Sequence, residues 1–105
     1  METPNLTFIH KLSGNDAEFE KELIDVIKTE FPREKNDYLK AIEEKDFKKI
    51  EETVHKLKHK ISILGLEKSY ELADAYENAL RENDNSLQQK FDAILLKITN
   101  YLEKI

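Results

Sequence analysis

Residues 50–65 have the sequence IEETVHKLKHKISILG and show the clearest periodicity in the chain. Apolar residues recur in this segment at spacings of four, three, four and three, as Ile50, Val54, Leu57, Ile61 and Leu64. This spacing places them along one face of an α-helix that packs against neighbouring helices. Asp46 is suited to cap the start of the helix, and Gly65 is suited to close it.

The sequence before residue 46 shows two more helical segments. A short leading helix is predicted over about residues 6–12 and ends at Ser13-Gly14, which is a helix-stop signal. A long helix follows over about residues 16–44, and we expect Asn15 to begin it with Glu18 in the capping-box position. Pro32 is expected to kink this helix rather than end it, because the apolar phase continues beyond the proline, and a break at Phe31-Pro32 is the alternative. Its predicted buried face carries Phe19, Leu23, Ile27, Phe31, Tyr38 and Ile42.

Two further helices are predicted after Gly65. The first ends in the polar run at residues 82–85, and the last is expected to begin at a Ser86 cap with Gln89 in the capping-box position. The predicted buried face of the first consists of Leu66, Tyr70, Ala73, Tyr76 and Leu80. That of the last consists of Leu87, Phe91, Ile94, Ile98, Tyr101 and Ile105.

The pattern therefore predicts an all-α protein. Four principal helices joined by short connections favour antiparallel neighbours, which gives an up-down-up-down four-helix bundle with a short extra N-terminal helix. The 105 residues suit a single domain over residues 1–105.

Composition excludes several classes of function. The net charge of −5 disfavours a nucleic-acid partner, because binding a phosphate backbone needs a basic surface. No cysteine is present, so disulfides and thiolate chemistry are excluded. The sequence shows neither a signal peptide nor an apolar run long enough to cross a membrane. We therefore expect a cytoplasmic protein, with a monomer as the default oligomeric state.

The three histidines are the residues best suited to a chemical role. His10 stands alone and is expected to be a surface residue, whereas His55 and His59 are four residues apart and share a helix face. His55 follows Val54 by one residue, so its ring should point away from the buried face, into solvent. A neutral imidazole can attack phosphorus without a separate base, and nearby lysines such as Lys58 can stabilise the phosphoryl group. On the spacing alone, a plain solvated helix face is the more common explanation.

The segment that begins at His55 resembles the signature of histidine-containing phosphotransfer (HPt) domains. That signature is His-x-Leu-Lys-Gly with a further glycine ten residues after the histidine, and His55, Leu57, Lys58 and Gly65 match it. Phe31 lies where the family often has phenylalanine in the preceding helix. The resemblance extends over nearly the whole chain.

The resemblance implies a phosphocarrier without an ATP site, not an enzyme with its own turnover. His55 would be the phosphoacceptor, and Lys58 would support its phosphoryl group. The partners would be response-regulator receiver domains and a sensor or hybrid histidine kinase. No cofactor is expected in the chain, since the receiver would supply Mg²⁺.

One departure from the family pattern is His59, which stands where the family commonly has glycine. The expected partner-docking residues are Lys56, His59, Ser62, Gly65 and Glu77. For Glu77 an ordinary surface glutamate is the simpler interpretation. His59 also motivates an alternative function, a degenerate HPt-like module that docks a kinase or receiver without phosphotransfer. A third hypothesis is a metal-binding bundle that uses the His-x-x-x-His spacing, although the neighbouring lysines would repel a dication.

Overall fold

The computed structural model describes residues 2–105, and all regular structure in that range is helical. Five helices follow one another along the chain: α1 (Thr7–Ser13), α2 (Ala17–Glu44), α3 (Phe47–Ile63), α4 (Glu67–Arg81) and α5 (Gln88–Lys104). The four long helices and the short leading one agree with the sequence prediction. None of these helices combines the length and the apolar character that a membrane span requires.

Helix ends follow from local capping chemistry. Asp16 caps α2 by accepting a hydrogen bond from the backbone N–H of Phe19 at 3.1 Å, so the predicted cap at Asn15 is wrong by one residue. The helix continues through Pro32 and ends where Lys45 adopts a left-handed conformation, with φ of 55°. Asp46 then caps α3 as predicted, through the N–H of Lys49.

The predicted cap of the last helix is also wrong. Helix α5 begins at Gln88, with Leu87 in the cap position and no side-chain hydrogen bond there. Ser86 instead donates its backbone N–H to the side chain of Asp84 at 2.9 Å, which belongs to the preceding turn. The turn thus uses the polar groups that the sequence pattern assigned to the helix.

The core confirms the predicted buried face of α3 at all of its positions, and corrects those of other helices. Phe19, Tyr70 and Ile105, which were predicted to be buried, are 41%, 36% and 40% exposed. In α5 the buried face includes Leu95 and Leu102, which the prediction left out. The buried apolar residues are Ile9, Ile27, Phe31, Tyr38, Ala41, Ile50, Val54, Leu57, Ile61, Leu64, Leu66, Ala73, Tyr76, Leu80, Phe91, Leu95, Ile98 and Leu102.

An aromatic cluster joins α2, α4 and α5 at the centre of this core. The ring centroids of Tyr38 and Phe91 are 5.3 Å apart, and those of Tyr76 and Phe91 are 5.2 Å apart. Burial, together with hydrogen bonds to Tyr76 and Asp92, raises the pKa of Tyr38, so its hydroxyl stays protonated. That hydroxyl donates to Asp92 Oδ1 at 2.7 Å. The tyrosines at 38 and 76 therefore serve bundle packing, as predicted.

The N-terminal segment holds the start of α4. Helix α4 has no side-chain cap of its own at Leu66. The carboxylate of Glu2, which is far away in the sequence, caps the helix instead. It accepts hydrogen bonds from the backbone N–H groups of Lys68 and Ser69 at 2.8 and 2.9 Å. The backbone N–H of Asn5 also donates to the carbonyl of Leu64 at 2.9 Å. These contacts fix the connection between α3 and α4, the two helices that carry the site described below.

A matched pair of leucine substitutions tests the assignment of the core. Leu57 is fully buried in α3, so Leu57→Ala should lower the free energy of unfolding by about 2–5 kcal/mol, through lost burial and the cavity left behind. Leu96 is 58% exposed, and Leu96→Ala should change that free energy by no more than about 0.5 kcal/mol. Urea unfolding followed by circular dichroism measures both, and equal losses would contradict the assignment.

Candidate functional site

His55 lies near the middle of α3 with its ring at the surface. The residue before it, Val54, is fully buried, while the His55 side chain is 54% exposed. Helical phase predicts this placement, because consecutive residues point about 100° apart around the helix axis. The ring is therefore held at its base by the core and accessible at its edge.

A buried carboxylate on α4 contacts one edge of the ring. Glu77 Oε1 lies 2.7 Å from His55 Nδ1, and Oε2 lies 3.3 Å from the same nitrogen. The Glu77 side chain is only 5% exposed. The interpretation of Glu77 as an ordinary surface glutamate is therefore wrong, because α4 directs the side chain inward against α3.

Lys58 shares the same carboxylate. Its Nζ donates to Glu77 Oε2 at 3.0 Å and to Asp74 Oδ1 at 3.2 Å, and it lies 5.4 Å from the centre of the Tyr70 ring. The side chain is 9% exposed. The sequence predicted that Lys58 supports a phosphoryl group on His55, but its long side chain turns into the α3–α4 interface, where it pairs with two carboxylates.

Glu77 and Lys58 each stabilise the charged form of the other. Burial raises the pKa of Glu77, but the hydrogen bonds from Lys58 and His55 and the charge of Lys58 outweigh it, so the net pKa lies below its usual value of 4.5. Burial likewise lowers the pKa of Lys58, yet the hydrogen bonds to Glu77 and Asp74 raise it overall. Glu77 is therefore ionised and Lys58 is charged at neutral pH.

The ionised state of Glu77 fixes the tautomer of a neutral His55. A carboxylate has no proton to donate, so the contact at Nδ1 requires an N–H on that nitrogen. The proton of the neutral ring then resides on Nδ1, and the lone pair belongs to Nε2. No hydrogen bond to Nε2 occurs within residues 2–105. The arrangement presents one nucleophilic nitrogen at the protein surface.

His59 packs against the exposed side of His55. The two ring centroids are 5.0 Å apart, with the ring planes at 68°, in an edge-to-face arrangement. Lys56 is also exposed and lines a shallow open cleft with His55, Glu77 and Arg81. These side chains surround the ring within about one helical turn.

Ser62 lies farther along α3, and Gly65 lies two residues beyond the end of that helix. At a rise of about 1.5 Å per residue, Ser62 is roughly 10 Å from His55 along the axis. Gly65 has φ of 76°, and a Cβ at this position would come within 2.6 Å of the Asn5 side chain. The turn geometry and the N-terminal segment thus account for this glycine. Ser62 is exposed on the same helix.

Four neighbours of the site were not identified from the sequence: Glu51, Tyr70, Asp74 and Arg81. Arg81 pairs with Glu51 at 3.2 Å and lies 3.7 Å from Glu77. For the three charged ones, the spacing of ionisable residues on the two helices provides a signal. Glu51, His55 and Lys58 are four and three residues apart on α3, and Arg81, Glu77 and Asp74 have the same spacing in reverse on α4.

His55 and His59 do not belong to a candidate metal site in the described part of the chain. Residues 2–105 contain no group of three or more histidine, cysteine, aspartate or glutamate side chains arranged to hold a metal ion. What the site offers chemically is one oriented imidazole with a buried carboxylate behind it and a second imidazole beside it.

Comparison with known proteins agrees with the geometry. The family model of the Hpt domain matches residues 22–105, which include nearly all of α2 and the whole of α3, α4 and α5. Searches among curated proteins and among solved structures give no match. The matched region contains both His55 and its partner Glu77, and it excludes α1 and the segment before it.

Replacing Glu77 tests the role of its charge in the fold. Glu77→Gln removes one acceptor oxygen and the negative charge, so we expect unfolding near neutral pH to require about 1–3 kcal/mol less free energy. Because the folded-state pKa of Glu77 is lowered, its stabilisation is present above the unfolded pKa and is lost as the pH falls through the folded one. The difference between wild type and variant should therefore shrink below about pH 4.5.

Urea unfolding at a series of pH values measures this difference. Glu71→Gln is the matched control, since Glu71 lies exposed on the same helix and should give a small effect at every pH. A Glu77 variant as stable as the Glu71 variant near neutral pH would contradict the network described above.

Proposed function

The chain belongs to the Hpt domain family, and we propose on this premise that it is a phosphocarrier of a two-component phosphorelay with His55 as its phosphoacceptor. Members of the family carry out histidine phosphotransfer in phosphorelays, where they interact with histidine kinases and receiver domains. They are phosphocarriers and not kinases. The matched region contains two histidines, His55 and His59, so the choice of acceptor depends on the site.

The observation that carries the assignment is the contact between His55 Nδ1 and Glu77 Oε1 at 2.7 Å. It leaves the Nε2 lone pair directed away from the carboxylate, on a side chain that is 54% exposed. A nucleophile for a bulky partner must be both accessible and held in one orientation. His55 satisfies both conditions, on a helix whose opposite face is anchored in the core.

The transfer step follows from this geometry. The Nε2 lone pair of His55 forms a bond to phosphorus while the bond between phosphorus and the aspartate oxygen of a phosphorylated receiver breaks. The bonding pair leaves with the aspartate as a carboxylate. Because Nδ1 keeps its proton, the imidazole gains a positive charge, and the Glu77 carboxylate stabilises that charge at hydrogen-bonding distance. The reverse reaction follows the same path.

The proposal also includes the partners, the location and the arrangement of the helices. The partners are receiver domains of response regulators and a sensor or hybrid histidine kinase, and the receiver supplies Mg²⁺. The chain acts as a monomeric single domain in the cytoplasm. Its long helices form an antiparallel bundle, which is supported by the order of contacts between α3 and α4, where residues 51, 55 and 58 meet 81, 77 and 74.

A second candidate function is docking without phosphotransfer. The observation in its favour is the ring of His59 against His55, at a position where the family commonly has glycine. A bulky ring there narrows the approach of a receiver to Nε2. This hypothesis predicts receiver binding without phosphate exchange.

The test is transfer from receiver domains that have been phosphorylated on aspartate. With Mg²⁺ present, wild type should acquire an acid-labile phosphoryl group, and His55→Gln should acquire essentially none, because the glutamine amide is not a nucleophile. His10→Gln is the matched control, since His10 lies on α1, away from the site, and should be labelled like wild type.

Two outcomes would contradict the proposal. Labelling of His55→Gln at the wild-type level would show that the acceptor is another residue. Binding of a receiver by wild type, with no label from that receiver or from phosphoramidate as a small phosphoryl donor, would favour the docking module.

A further inference from the structure

The phosphoryl group proposed for His55 lacks an obvious cationic partner. Once transferred it carries about two negative charges, and such a group is stabilised by hydrogen-bond donors close to its oxygens. The resemblance implies that Lys58 provides this donor. In the structure, however, Lys58 is 9% exposed and bonds to Glu77 and Asp74. Releasing it would leave the buried carboxylate of Glu77 without its main counter-charge.

Two of the other nearby cations are paired with glutamates, and the third leaves the helix at a different angle from His55. Lys60 is 12% exposed and pairs with Glu30 at 3.0 Å and with Glu34 at 3.4 Å on α2. Arg81 pairs with Glu51 on α3 and lies 3.7 Å from Glu77. Lys56 forms no ion pair within residues 2–105 and lines the cleft that also contains His55, but as the next residue along the helix it leaves the axis about 100° away from His55.

His59 is placed differently from all of them. Its side chain is exposed, and its ring lies edge-to-face with that of His55 at 5.0 Å between centroids. Side chains on an α-helix lean towards the N-terminus, so a residue at i+4 covers the turn that carries residue i. At this separation of the two rings, a group attached to Nε2 of His55 is within reach of the His59 ring. An imidazole has an N–H donor in its neutral form and two in its charged form.

We propose that His59 donates a hydrogen bond to the phosphoryl group on His55, in the role that the family pattern gives to Lys58. Lys58 instead neutralises Glu77 and thereby acts on His55 indirectly, through the carboxylate that orients the ring. This inference rests on the proposed function, because it concerns the phosphorylated state of the same histidine. It also gives His59 a role besides that of an obstacle to docking.

The electrostatic surroundings of His59 on all adjacent elements are mixed in sign. On α3 its charged neighbours are lysines, on α4 an acidic residue and a tyrosine contact one of these lysines, and on α2 two glutamates pair with another. These groups are Lys56, Lys58 and Lys60 on α3, Asp74 and Tyr70 on α4, and Glu30 and Glu34 on α2. Since most of these charges are already paired, the phosphoryl group would be the dominant new charge next to His59.

The transfer equilibrium between a phosphorylated receiver and this protein gives the sharpest test. Its constant depends on the free energies of the separate species, so it is insensitive to how well a variant docks. His59→Phe keeps an aromatic ring beside His55 but removes the donor. We expect it to shift the equilibrium towards the phosphorylated receiver by on the order of fivefold, as for one charge-assisted hydrogen bond at an exposed site. His59→Lys restores a donor and should stay within about twofold of wild type.

Controls separate this effect from general destabilisation. His10→Phe makes the same chemical change on α1 and should leave the equilibrium unchanged. In the NMR spectrum of wild type phosphorylated with phosphoramidate, a ring N–H proton of His59 should appear that is absent from the unphosphorylated protein. A side chain that only packs against His55 would not produce this protected proton.

Several results would overturn the inference while leaving the phosphocarrier function intact. Wild type must be labelled on His55 for the proposed function to hold. With that established, an unchanged equilibrium for His59→Phe would show that His59 is not the donor. A larger shift for Lys56→Gln than for His59→Phe would assign the contact to Lys56.

Discussion

A carboxylate buried between two helices must be matched by donors, and this requirement governs the whole α3–α4 interface. Glu77 is 5% exposed, and an unpaired charge at such a position would cost several kcal/mol. Lys58 and His55 donate hydrogen bonds to this carboxylate from adjacent turns of α3. Apolar packing supplies most of the stability, and the directed ionic contacts add a requirement on how the two helices are placed. The pairing of Glu77 is satisfied in the register in which α3 and α4 pack.

The same contact converts a common surface residue into a specific nucleophile. An exposed histidine without a partner samples both tautomers and several ring orientations. Here the carboxylate holds Nδ1 and its proton, and the opposite nitrogen is left to react. Oriented groups of this kind require little rearrangement during the reaction, because their cost has been met on folding. The capped start of α4, where Glu2 bonds the backbone of Lys68 and Ser69, helps to keep Glu77 in position.

Sequence patterns predicted the fold best where apolar residues were separated by polar ones. In α3 the spacing allows a single buried face, and all of its predicted positions are buried. In α5 the consecutive Ile94, Leu95 and Leu96 fit more than one helical face, so the prediction omitted Leu95 although it is buried. The cap at Asp46 was predicted correctly, and the one at Asn15 failed for a local reason. Adjacent residues such as Asn15 and Asp16 have equal capping chemistry, and only the three-dimensional path of the chain selects between them.

The site was predictable in the part that depends on one helix and not in the part that depends on two. Exposure of His55 follows from its distance from the apolar face, but the burial of Lys58 depends on acidic residues that α4 brings opposite to it. A single-helix argument therefore treats Lys58 as free and His59 as an obstacle. The reversed charge spacing on α3 and α4 contained the missing information, because Lys58 faces Asp74 only when His55 faces Glu77. Once that pairing exists, the ammonium group of Lys58 is held by the two carboxylates of α4, and His59 is the donor that remains next to His55.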